Sequence, residues 1–347
     1  EFSTGANWGG GNAPANDLIN DIAVFSGAVT PNQPALSAGN RSVSGLDFQS
    51  GGWTLSGNSA LALGAAGITN TGNNMVSATL DLSGAATKTF SSAAGSTLSV
   101  NTLVNGGLTI GSAGNTGSVV FGGTSDNANL SPAVEAGTLV LAKVSSPTVH
   151  ATNNIESSAA SVGTIRLAGT GGDQIAGNVN LEGGTLDLNG TNESINQLYA
   201  AATTGTVTNN VSSTVSTLAV SNPTGAYNGQ LNDGAGVLAL ATNSATNSQI
   251  QLVAASTYSG GTVINGNRIR IQTDSSVGTG PVSFTGNDPN SKSTLFIPSS
   301  GYDSTNGSMN NNLFVAAGNV GMIRWGRNIT IPGMLTGGGT LIVTHEN

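Results

Sequence analysis

Apolar and polar residues alternate in short runs along almost the whole chain. Ser42-Val43-Ser44-Gly45-Leu46-Asp47-Phe48, Ala78-Thr79-Leu80-Asp81-Leu82, Thr97-Leu98-Ser99-Val100 and Thr214-Val215-Ser216-Thr217-Leu218-Ala219-Val220 show the pattern. A period of two puts alternate side chains on opposite faces of an extended strand. No long stretch carries apolar residues at helical spacing between capped ends, so the pattern predicts an almost purely β fold. The densest stretch runs from Thr257 to Phe284. It holds three short runs, Thr262 to Ile264, Arg268 to Ile271 and Pro281 to Phe284, separated by Gly260-Gly261, Asn265-Gly266-Asn267 and Gly278-Thr279-Gly280. The Asn-Gly joint suits a tight hairpin and equally a bend between successive strands of a coil.

The same strand–glycine–strand unit returns elsewhere. A Gly-Thr-Leu theme appears as Gly137-Thr138-Leu139-Val140-Leu141, Gly163-Thr164-Ile165-Arg166-Leu167, Gly184-Thr185-Leu186-Asp187-Leu188 and Gly339-Thr340-Leu341-Ile342-Val343. The first three are about 20 to 26 residues apart, the scale of one supersecondary unit in a repeat protein. Stacked antiparallel sandwiches would need hairpins and bulky aromatic cores, whereas the inward set here is Leu, Ile and Val. The expected fold is all-β, a right-handed parallel β-helix (a β-solenoid rod). Residues 1–40, with Trp8, Pro14, Pro31 and Pro34, read as a cap-like amino-terminal segment, and Trp8 as a plug over the first coil. Residues 41–347 read as the solenoid, with a loop excursion near 287–310.

Thr257-Tyr258-Ser259-Gly260-Gly261-Thr262 and Gly278-Thr279-Gly280-Pro281-Val282 resemble the autotransporter-associated β-strand repeat. The middle strand, Asn267-Arg268-Ile269-Arg270-Ile271, departs from that family's usual Gly-Thr-Leu. The strong match covers about one repeat. Ala6-Asn7-Trp8-Gly9-Gly10-Gly11-Asn12-Ala13-Pro14 with Asp21 to Phe25 looks like the opening segment of large secreted proteins carrying it. The resemblance implies an extracellular or surface β-solenoid of a Gram-negative bacterium, adhesive or structural, with no catalytic motif to carry over. The chain opens on Glu1-Phe2, which reads as a signal peptide already removed.

Composition narrows the chemistry. Only 7% of the 347 residues are charged, 51 are glycine and none is cysteine; disulfides and thiolate metal sites are excluded. A net charge of −8 with nine Lys and Arg argues against a nucleic-acid partner, which needs clustered bases. No apolar run approaches the roughly 18 residues of a transmembrane helix, so no membrane insertion by this segment is expected. Arg324-Trp325-Gly326-Arg327 is the densest basic spot and reads as a turn with an Arg stacked on the Trp. Trp53 reads as a core or corner residue. Asp47, Asp81, Asp173, Asp187 and Asp233 are scattered. Asp81 and Asp187, each between two leucines, are expected on solvated strand faces. His150 and His345 have no metal-type neighbours in sequence, and Gly169 to Asp173 touches a calcium-binding repeat pattern once. No catalytic residue, metal or cofactor is expected.

The leading expectation is a non-enzymatic extracellular structural protein whose copies join head to tail. Gly337 to Thr344 is a strand as good as any inside and has no evident cap, so its edge should pair, either with another copy or with a further coil of a longer chain that covers Leu341 to Val343. Trp8, Ile22, Val24 and Phe25 are the expected assembly residues at one end; Leu341, Ile342 and Val343 are those at the other. The partners are other copies of the chain, with cell-surface or matrix glycans as a second class. An adhesin passenger domain is the first alternative and a polysaccharide-active β-helix enzyme the second.

Overall fold

The computed structural model describes every residue except 30, 85, 145–148, 171, 244–247, 287–292, 302–306 and 347. It forms two compact units, Glu1–Ala176 and Gly177–Asn347, each a parallel β-solenoid. Helix is confined, among the described residues, to one 3-10 turn at Gly5–Asn7, so no helix is long and apolar enough to cross a membrane.

Strand pairing follows from coil length. In the first unit Thr97–Val104 pairs in parallel with Ser118–Phe121, which pairs with Thr138–Leu141, which pairs with Thr164–Leu167. Register places Leu98, Val119, Leu139 and Ile165 in one column and Val100, Phe121, Leu141 and Leu167 in the next. All eight are buried. The residues between them stay partly exposed, so alternation along each strand becomes an aliphatic core inside and a polar skin outside. Stacking identical faces coil on coil lets short strands bury apolar area that none could bury alone.

Gly137 shows why the corners need glycine. Its φ of +67° lies in the left-handed region, and a Cβ there would sit 2.5 Å from the carbonyl oxygen of Gly117 in the coil before. Both conditions exclude a side chain.

In the second unit the stretch Thr257 to Phe284 resolves as coil, not hairpin. Thr262–Asn265 pairs in parallel with Val237–Asn243 and Val282–Phe284. Arg268–Ile271 turns away onto Gln249–Leu252 and Ser293–Ile297. Gly266, at φ +74°, makes the bend. Tyr258 is buried, and its hydroxyl lies 2.6 Å from that of Thr262.

Pairing starts before residue 41. Ile22–Phe25 pairs with Gly45 to Phe48, and Ala35–Leu36 with Ser56-Gly57, so the last part of the cap-like segment already belongs to the first coil. Within the stretch expected as an excursion, Ser293–Ile297 is a fully buried strand paired on both sides. Residues 287–292 and 302–306 of that expected excursion lie outside the described residues.

Two expectations are corrected. Asp187 is fully buried, not on a solvated face. The next coil covers it, and its Oδ1 accepts the backbone N–H of Asn189 at 2.9 Å and of Asn210 at 3.1 Å. Arg324 and Trp325 do not stack in a turn. Both lie in the strand Val320–Trp325, where successive side chains point to opposite faces. Arg324 lies over Phe296, 5.4 Å from the ring centroid, and Trp325 packs edge-on against His345 at 4.7 Å.

Candidate functional site

The two terminal coils differ in how their cores are closed. At the start of the first unit Phe25 stacks on Phe48, with centroids 4.9 Å apart. Trp8 lies 5.8 Å above Phe25 and Phe2 packs edge-on against Trp8 at 5.2 Å. The segment is tied down by polar bonds. Trp8 Nε1 donates to the Phe2 carbonyl at 2.9 Å, and Phe2 N donates to Ala35 O at 2.7 Å. Trp53 closes the side, 5.7 Å from Phe25, with its Nε1 3.1 Å from Ser50 Oγ. The plug expected at Trp8 is present, and Trp53 is the expected corner residue. Phe25 lies buried beneath them, so of the expected assembly residues at this end Ile22 and Val24 are the exposed ones.

Among the described residues no aromatic plug lies over the coil that carries Leu335 and Val343. One core column runs Ile250, Ile269, Leu295, Ile323, Val343, and a second runs Val282, Leu313, Leu335. Exposure jumps from 3% at Ile323 to 62% at Val343, and from 4% at Leu313 to 56% at Leu335. Leu335, Leu341, Val343, Ile329 and Trp325 line an open concavity of about 520 Å³. Among the described residues Thr340–His345 pairs with Val320–Trp325 alone, and Leu335–Gly337 with Leu313–Val315 alone.

Of the three residues expected at this end, Leu341 and Val343 line the concavity, whereas Ile342 alternates to the outward face beside Met322; Met334 and Leu335 are exposed as well. These were missed because Ile329 to Leu335 carries no clean alternation; register with Leu313 was the signal that identified Leu335.

The acidic side chains act mainly as fasteners between coils. Glu135 accepts Ser158 N and Oγ, Glu182 accepts Ala201 N at 3.0 Å and Ala202 N at 2.6 Å, and Asp233 accepts Ser259 Oγ at 2.6 Å and Leu238 N at 2.7 Å. Each binds a residue one coil onward or at the next corner, satisfying backbone donors that a turn leaves free. Asp47 holds Thr69 Oγ1 at 2.6 Å in the same way, and Asp81 accepts Ser83 N at 3.0 Å. No group of three metal-type ligands occurs among the described residues. His150 Nδ1 lies 3.9 Å from Asp126, and His345 faces Trp325. Of the calcium-like stretch Gly169 to Asp173, Gly171 lies outside the described residues.

No family model matches the chain, and neither a curated protein nor a solved structure shows significant similarity to it.

Proposed function

We propose that this chain is a non-enzymatic structural subunit of an extracellular or cell-surface filament, related in build to proteins carrying the autotransporter-associated strand repeat. In this reading copies join head to tail, the last coil of one receiving the Ile22–Phe25 edge of the next. The observation that supports the reading is the apolar face formed by Leu335 and Val343. Leu335 and Val343 continue core columns that are otherwise dry, yet both are more than half exposed. Apolar surface of this kind favours burial against a matching face, and a free strand edge favours strand addition. The occupant in this reading is a second copy, because among the described residues its Ile22–Phe25 strand pairs with Gly45 to Phe48 alone and carries Ile22 and Val24 at the surface. A heterologous contact that does not close propagates as a filament.

Light scattering across a concentration series tests this, with electron microscopy of the concentrated sample. Growth into filaments is expected, as is its loss when Leu335→Glu and Val343→Lys place charges on the apolar face. A protein that stays monomeric at high concentration, or a double variant that still polymerises, overturns the reading.

A further inference from the structure

Five of the nine Lys and Arg residues, Arg268, Arg270, Lys292, Arg324 and Arg327, fall within the last third of the chain. Strand register gathers three of them on one outward sheet face of the second unit. Gln251, Arg270, Phe296, Arg324 and Thr344 are successive register partners, and Gln249, Arg268, Thr294, Met322 and Ile342 form the adjacent row. The guanidinium carbons of Arg268, Arg270 and Arg324 lie 5.8, 5.8 and 5.4 Å from the centroid of the Phe296 ring.

Cation–π attraction does not account for three like charges around one ring. A benzene ring has two faces, so one guanidinium of the three is left without a face while still repelling the others. Ion pairing does not offset this either, since none of the four arginines makes a salt bridge among the described residues. Glu346 is an opposing charge within electrostatic reach of Arg324 and Arg270. Its carboxylate is engaged by Ser299 N at 2.7 Å, and that bond, followed by Arg324 and Arg270, holds its pKa below the usual range. The donors are also underused. Each guanidinium carries five N–H groups. Arg268 gives one to Gln249 Oε1 at 3.4 Å, Arg270 gives one to Gln251 Oε1 at 3.0 Å and one to Ser300 O at 3.2 Å, and Arg324 gives none to a described residue. Partial burial and the neighbouring Arg324 lower the pKa of Arg268, the mark of a cation short of counter-charge.

We propose that this face binds the acidic groups of a polysaccharide, with Arg268, Arg270 and Arg324 holding a carboxylate or sulfate above Phe296. Guanidinium forks match such planar or multi-oxygen anions. The flanking Gln249, Gln251 and Thr344 supply amide and hydroxyl groups for sugar hydroxyls. Parallel coils repeat about every 4.8 Å, close to the advance of one ring in an extended sugar chain, so successive residues of the chain meet successive strands. A nucleic acid fits less well. Its backbone needs many phosphate contacts, no aromatic platform is exposed on this face among the described residues, and the chain as a whole carries a net charge of −8. The proposal is independent of the end-to-end assembly, because none of these three arginines belongs to the apolar face of Leu335 and Val343.

Binding of polygalacturonate and of heparin to the full chain at low ionic strength tests it, with neutral dextran and single-stranded DNA as controls. Both acidic polymers should bind, with affinity falling as salt rises, and the controls should not. Arg270→Gln with Arg324→Gln should weaken binding by about tenfold or more, the loss of at least one charge-assisted hydrogen bond. Glu346→Gln, which removes an opposing charge, should tighten it. An unchanged circular dichroism melt would show that the double variant folds. No binding of either polymer, equal binding of DNA, or a folded double variant that binds as the parent does would overturn the proposal.

Discussion

Lys88 and Lys143 lie wholly inside the first unit, where a charged amine is expensive. Lys88 Nζ donates to the carbonyls of Leu82 and Gly84, both at 2.7 Å. Lys143 Nζ donates to Asn101 O at 2.6 Å and to Asn127 Oδ1 at 3.1 Å. Neutral acceptors compensate only part of the lost hydration. Burial therefore lowers both pKa values, that of Lys143 to about 8, against a smaller opposing pull from Asp126. The sign of the effect on stability follows from linkage. Between the depressed pKa of Lys143 and the ordinary lysine value near 10.4, the unfolded chain holds a proton that the folded chain has lost. Stability should then rise with pH. Tyr227 and Tyr258 act oppositely, since burial raises both phenols and the unfolded chain ionises first, above about pH 10. Thermal melts from neutral to alkaline pH should show a rise and then a fall. Lys143→Met should abolish much of the rise, and a slope unchanged by that substitution would rule out Lys143 as its source.

Stability at the scale of the strand comes from register. Leu139 sits in a dry column between Val119 and Ile165, while Val140 on the same strand is only half-buried. Leu139→Ala should cost about 2–5 kcal/mol, the range for a buried leucine that leaves a cavity, and Val140→Ala less than about 1 kcal/mol. Denaturant titration of the two variants measures the difference, and equal losses would refute the inward assignment. Gly137→Ala should cost about 1–3 kcal/mol through strain at its positive φ. These assignments were legible in the sequence because alternation is local: Leu98, Leu139 and Ile165 announce their faces without reference to any other strand. What was not legible depends on coil length and corner shape. Asp187 looks like any outward residue between two leucines, and its contact with Asn210 N in the next coil appears only in the folded chain. Arg268, Arg270, Phe296 and Arg324 are separated by up to two coils, so their convergence appears only once register is fixed. Leu335 likewise reveals itself as a core residue through its partner Leu313, not through its neighbours in sequence.

Each coil of a solenoid rests on the coils beside it, so in the molecule as a whole an end is weaker than the middle, and the state of the end should be readable strand by strand. Thr340 N donates to Asn319 O and Glu346 N to Trp325 O. Alternation along a parallel ladder then turns the amides of Thr340, Ile342, Thr344 and Glu346 inward and those of Leu341, Val343 and His345 toward the open edge. At the other terminus Ser44 N donates to Asp21 O, which by the same alternation leaves the backbone groups of Ile22 and Val24 facing outward. In dilute protein the amides of Leu341, Val343 and His345 should exchange with solvent freely, while those of Leu139 and Leu141 are protected at close to the global unfolding free energy. If copies join end to end, raising the concentration should protect Leu341, Val343 and His345 selectively and leave the interior strands unchanged, because new hydrogen bonds form only at the junction. Hydrogen exchange followed residue by residue would show this. Charging the apolar face with Leu335→Glu should remove the concentration dependence without slowing exchange elsewhere. A uniform rise in protection across all strands would instead signal a general stabilisation, and no rise at Leu341 and Val343 in concentrated protein would leave the junction without the hydrogen bonds that define it, ending the strand-addition model.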